Sequence, residues 1–169
     1  MFNLYTKKQL KERLIMQTQT IKNNVDIDQV EAEKVRALQS HLDLTEDEVS
    51  EITLEDGFLY HVNGNEYKVL TDNEADDEVR EYIEQSVWAF NPSFLSAHAK
   101  DGIDEDVFKV LSEKCEGSNE AVKSLIKDFD HFVDDAVLSD GRGHFLSSYD
   151  GYEHEVNIKN NYYYIYRTN

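Results

Sequence analysis

Between residues 72 and 84 the chain reads DNEADDEVREYIE, where Asp72, Glu74, Asp76, Asp77, Glu78, Glu81 and Glu84 stand against a single cation, Arg80. Carboxylates this dense have two chemical uses: they ligate a hard cation, or they present fixed negative charge to a basic partner. A calcium loop needs a central glycine and a bidentate Glu at a set offset, and this stretch has neither. The second use suits a helix. Val79, Ile83, Val87 and Phe90 recur at helical spacing with Tyr82 and Trp88 beside them, and Thr71 or Asp72 supplies the cap. The acids then lie opposite the apolar stripe, where like charges four residues apart cost a few tenths of a kcal/mol each. Thirteen helical residues rise about 18 Å. Six net charges over that length give one per roughly 3 Å, close to the spacing of about 3.4 Å between phosphates along one DNA strand. The helix edge is predicted to imitate a phosphate backbone in charge density.

Similar clusters recur at Glu46, Asp47, Glu48, Glu51, Glu55 and Asp56, at Asp101, Asp104, Glu105 and Asp106, and at Asp128, Asp130, Asp134 and Asp135. The formal net charge is −18, and residues 23–140 alone hold nine basic against 31 acidic side chains. A small domain stays soluble with a net charge of only about 2 to 8. Any single acidic run is ordinarily a solvated face, so the argument rests on the clusters together. A surface of this kind is drawn to proteins that bind DNA through Lys and Arg, because counterion release does not depend on the anion being nucleic acid. The expected contact set is Glu46, Asp47, Glu48 and Glu51 with the seven acids of residues 72–84, and direct nucleic-acid binding is disfavoured.

Other chemistry finds little support. His61, His98, His131, His144 and His154 include no HExxH pairing, so no metal site is expected. Cys115 lacks a neighbour that would activate its thiol, and GRGH at 141–144 has the wrong flanks for a phosphate cradle and reads as a turn. The expectation is a protein without catalytic residues or cofactor. One cysteine precludes an internal disulfide and points to a reducing cytoplasm. No apolar run of about 18 residues is present, and the start MFNLYTKKQL lacks a signal peptide's apolar stretch, so neither a membrane span nor export is expected.

The elements that must position these acids follow from periodicity. Leu10, Leu14 and Ile21 predict a basic amphipathic helix from Thr6 to about Asn23, and Asp28 with Glu31 has the capping-box spacing that starts a second helix carrying Val35, Leu38 and Leu42. Residues 1–44 are therefore read as a helical hairpin and 45–169 as an acidic α+β domain. Thr45 with Glu48 caps a short acidic helix. FLYHV (58–62) and YKVL (67–70), joined through Asn63-Gly64, predict a β-hairpin. Asn91-Pro92 opens a helix to about Lys100, and further helices are predicted over 104–115 and 118–138. HFLSS (144–148), EHEVNI (153–158) and YYYIYR (162–167) predict a three-stranded antiparallel meander with Tyr162, Tyr164 and Tyr166 on one face and Tyr163 and Ile165 on the other. The class is α+β: a helical body, a hairpin and the meander.

DGRGHFLSSYDGYEHEV (140–156) followed by YYYIYRTN (162–169) resembles the tail of a group of small phage-encoded proteins, of the form DGRGHxLxxYDGxExE and then YIYRxN. The match covers about a sixth of the chain. In size, acidity and helical body the chain is similar to staphylococcal phage inhibitors of the bacterial DNA sliding clamp. That resemblance implies a homodimer acting in the infected host's cytoplasm, which occupies the clamp's basic channel and blocks replication. The alternatives are an adaptor binding a replication or transcription protein through the first helix, and a DNA mimic of the anti-restriction or anti-CRISPR type.

Overall fold

The computed structural model describes residues 29–55 and 58–169. The basic helix expected before Asn23 and the cap expected at Asp28 lie outside the described residues.

Five antiparallel strands form one sheet in the order β1-β2-β3-β5-β4: β1 (Thr53–Glu55), β2 (Leu59–Val62), β3 (Asn65–Leu70), β4 (His154–Ile158) and β5 (Asn161–Arg167). Asn63 and Gly64 take φ of 51° and 77°, which pairs Val62 with Asn65 in the expected hairpin. Strand alternation then divides the side chains. Tyr60, Val62, Tyr67, Val69, Tyr163 and Ile165 face one layer, while Leu70 and Tyr166 face the other. The split of β5 between Tyr163/Ile165 and Tyr164/Tyr166 is the one its alternation predicts.

Helix α1, described over 29–42, covers the first face with Ala37 and Leu38, both fully buried. Residues 35–44 thus belong to the same packed body as the sheet. The second face carries α3 (Asp72–Ser86), α4 (Pro92–Ala97), α5 (Glu105–Ser112), α6 (Asn119–Leu125), α7 (Phe129–Asp140) and α8 (Arg142–Leu146), while α2 (Glu46–Ser50) precedes β1. Their core includes Val79, Ile83, Val87, Leu95, Phe108 and Phe132. The class is α+β, and the C-terminal strands close the sheet.

Three local readings change. HFLSS is no strand: residues 142–146 form α8, with Phe145 and Leu146 buried, and β3 takes the place of the third strand beside β5 and β4. A short segment with two apolar residues among five fits either element by composition, and packing decides. The single helix expected over 118–138 is two, because Ala99 pairs with Ile126 and Asp128 caps a new helix by accepting the His131 N–H at 3.1 Å. Strand β1 was not foreseen; all three of its residues are exposed, so it lacks a half-buried alternation.

Gly143 shows why the tail folds this way. A Cβ there would lie 2.5 Å from the Gly151 carbonyl oxygen and 2.7 Å from the Tyr152 carbonyl carbon, both backbone atoms that cannot yield cheaply. Gly143→Ala is therefore expected to destabilise the protein by about 1–3 kcal/mol, the usual cost of overpacking. Gly117→Ala, where nothing lies within 4 Å, should be close to neutral. Urea denaturation of the two variants checks this, and equal midpoints would contradict it.

Candidate acidic interface

Helix α3 starts at a capping box. The Thr71 side chain accepts the Glu74 N–H, and the Glu74 carboxylate accepts the Thr71 N–H at 2.7 Å and its hydroxyl at 2.9 Å. Ala75, Val79 and Ile83 are buried, so the acids lie on the flanks and the outer face as their spacing predicts. They do not form an unbroken anionic row. Glu74 accepts from Lys34 of α1 at 2.8 Å, Glu78 from Lys68 of β3 at 2.6 Å, and Glu84 from Lys123 of α6. Asp72 and Asp76 accept from Arg142 Nη1 at 2.9 and 3.0 Å. Five of the seven acids thus meet a cation, and Asp77 and Glu81 have no ion-pair partner among the described residues. Sequence spacing alone could not show this, since Lys34, Lys123 and Arg142 come from distant segments and Lys68 reaches the helix from the preceding strand.

What remains is an outer face shared by α3, α6 and α7. Two open clefts of ≈ 580 and ≈ 420 Å³ meet there at Asp77 and Arg80. Asp76, Asp77, Glu81, Glu84, Glu120 and Asp134 line them against the guanidinium of Arg80, itself 2.6 Å from Asp130. Leu138, 85% exposed, sits at the edge of the second cleft. The first cleft is walled by charged and amide side chains, unlike small-molecule pockets, whose walls are mainly apolar. A basic protein surface with an apolar recess for Leu138 is the better complement. The α2 acids stand apart from this face. Glu46, Asp47 and Glu51 are exposed, whereas Glu48 is engaged by the Thr45 cap and by Asn63 Nδ2 at 3.2 Å.

The tail motif turns out to serve packing. Arg142 Nε and Nη2 donate to the two oxygens of Glu153 at 2.8 and 3.2 Å, and the guanidinium lies over the Tyr164 ring at 4.3 Å. Tyr166 donates its hydroxyl to the same Glu153 at 2.5 Å. Asp150 accepts from Ser147 Oγ and the Tyr152 N–H, and Arg167 lies over Tyr149 at 3.6 Å. The letters Arg, Gly, Asp, Glu, Tyr and Arg of the string are thereby accounted for by contacts within the chain.

Sequence reasoning missed the carboxylates of α1 that meet the tyrosines of the sheet. Glu33, 1% exposed, accepts from Asn161 at 2.8 Å and Tyr163 at 2.9 Å, and Glu31 accepts from Tyr60. The available clue was that Glu33 and Lys34 fall on the turn preceding Ala37 and Leu38 of the apolar stripe. These contacts shift both partners. Burial first and then Glu33 push the Tyr163 hydroxyl up to about 12, and burial with Glu31 raises Tyr60 strongly. Hydrogen bonds from Asn161 and Tyr163 hold Glu33 below the ordinary 4.5. Burial works to raise Glu74, but Lys34 and Thr71 outweigh it, and Lys123 lowers Glu84.

Among the described residues, one further set of side chains brings ligand-bearing atoms within 4.8 Å of one another: His98, His131 and Asp135. No helix among the described residues is long and apolar enough to cross a membrane. Comparison with protein-family models, curated proteins and solved structures returns no match.

The carboxylate shifts predict a pH dependence. Glu33, Glu74 and Glu84 have folded values below the unfolded 4.5, so the folded state binds fewer protons. Their stabilisation is complete above 4.5 and is lost as pH falls through the folded values. The urea midpoint should hold from about pH 7 to about pH 5 as far as these groups decide it, then drop toward about pH 3, and Glu33→Gln should make the acid limb shallower. A midpoint that rises on acidification would contradict this assignment.

Proposed function

We propose that the protein is a non-enzymatic acidic binding module that occupies the basic DNA-binding cavity of a host protein, the bacterial sliding clamp being the favoured target, and thereby blocks replication. The observation that carries this reading is the outer face of α3, α6 and α7, where carboxylates crowd two adjoining clefts around one guanidinium. The contact set narrows accordingly. Asp77, Glu81, Glu120 and Asp134 supply the charge, with Leu138 as an apolar anchor, and Glu46, Asp47 and Glu51 form a second patch. Acids that already hold an internal lysine contribute less, because a partner's lysine would have to displace one in place.

This narrower face still fits a DNA channel. Such a channel holds its duplex through phosphate contacts without reading sequence, so a competitor needs local charge and shape rather than an exact phosphate repeat. The exposed leucine adds an interaction that salt does not screen, so the complex should survive ionic strength better than a purely electrostatic one.

The test is a titration of the full-length protein against purified sliding clamp at increasing salt. Affinity should fall as salt rises, and Asp77→Lys with Glu81→Lys should weaken binding at least about tenfold, or about 1.4 kcal/mol. Leu138→Ser should weaken it at every salt concentration. Affinity indifferent to salt and to the double reversal would refute the proposal.

A further inference from the structure

We propose that His98, His131 and Asp135 form a binding site for a late first-row divalent cation, best matched by Zn²⁺, which cross-links the end of α4 to α7. The three side chains come together through backbone pairing. His98 caps the C-terminus of α4, and residues 98–100 are held to 125–127 by Lys127 N–H to His98 O at 2.9 Å and Lys100 N–H to Leu125 O at 2.9 Å. Asp128 then caps α7, whose first turns carry His131 and Asp135 four residues apart on one face.

The hydrogen bonds of His98 set the electronic problem. Its Nδ1 is 3.0 Å from the Phe94 carbonyl oxygen, which only accepts, so Nδ1 carries the hydrogen. In the neutral ring Nε2 is then a bare lone pair, and it faces Asp135 Oδ2 at 3.0 Å. His131 Nε2 lies 3.6 Å from that same oxygen. Three electron-pair donors therefore converge. A proton on His98 satisfies one of these contacts, whereas a divalent cation satisfies all of them.

The spacing and chemistry suit zinc. Tetrahedral Zn²⁺ with ligands at about 2.0–2.1 Å puts neighbouring donor atoms about 3.3 Å apart, and the separations of 3.0 and 3.6 Å bracket that value. Two imidazoles with one carboxylate favour Zn²⁺ and its neighbours over Mg²⁺ or Ca²⁺, which prefer all-oxygen shells. The Nδ1–H donated to a backbone carbonyl is the outer contact that metal-binding histidines commonly make. Phe94 and Phe132, with ring centroids 4.6 and 5.3 Å from that of His98, restrict its rotation, and its side chain is only 11% exposed. His131 is 65% exposed, so the ion can enter from solvent and keep a fourth position for water or another donor. The earlier expectation of no metal site looked for a histidine pair within one helix. Here the helical pair is His131 with Asp135, and the second imidazole comes from 33 residues upstream.

The experiment uses full-length, untagged protein freed of metal by a chelator. Titration with ZnCl₂ should give one tight site and raise the Tm, MgCl₂ should do neither, and Co²⁺ should give the visible bands of a four-coordinate ion. His131→Gln on an exposed side chain and the near-isosteric Asp135→Asn on a partly exposed one should each cut Zn²⁺ affinity at least about tenfold and abolish the Co²⁺ spectrum. No saturable Zn²⁺ binding, or binding undiminished in both variants, overturns the proposal.

Discussion

An acid-rich chain closes into a packed body only where its carboxylates are held to the core by donors, and Arg142, its side chain only 12% exposed, holds three of them at once. It joins Asp72 and Asp76 of α3 to Glu153 before β4, while its flat face rests on Tyr164 of β5. A guanidinium fits this position because it forks to two partners in its plane and still stacks on a ring, which an ammonium does not. The helix that carries the densest acidic run is thereby fixed to the sheet. Its N-terminal placement helps as well, since Asp72 and Glu74 sit in the first turn, where the helix dipole favours anions.

The other cations follow the same economy. Lys34 and Lys68 reach Glu74 and Glu78 from α1 and β3, and Lys123 reaches Glu84 from α6, so α3 is stitched to every layer it touches. Tyrosine hydroxyls serve beside the cations: Tyr60, Tyr163 and Tyr166 donate to Glu31, Glu33 and Glu153. Their rings are buried, so each supplies apolar packing and a hydrogen bond from the same side chain. A chain with 35 acidic and 17 basic residues needs such neutral donors.

Much of this was legible in the sequence because it is local. Thr71 and Thr45 as caps, Asn63-Gly64 as a hairpin turn, and the alternation of Tyr163/Ile165 with Tyr164/Tyr166 depend on near neighbours, and spacing encodes them. The candidate site was only half legible. Periodicity placed the acids away from the Val79/Ile83 stripe, but their neutralisation depends on Lys34, Lys123 and Arg142, which lie 40, 39 and about 70 positions from the acids they meet. The same limit hid the approach of His98 to α7. HFLSS misled for a different reason: its apolar residues fit two elements, and the choice rests on the close approach of Gly143 to the backbone of 151–153.

The distribution of these pairs bears on the outer face. Lys34, Lys68 and Arg142 all meet α3 from the sheet side or from the tail, where the carboxylates allow the cations' own side chains to be largely buried. Asp77 and Glu81 point the other way and need no cation, because water solvates them. Repulsion between them is modest at four-residue spacing, and the pairs around α3 hold the helix against it. Ion pairing therefore separates the acids into a set that fastens the fold and a smaller set left to solvent or to a partner. The second set belongs to the folded arrangement of α3, α6 and α7 rather than to any one stretch of sequence.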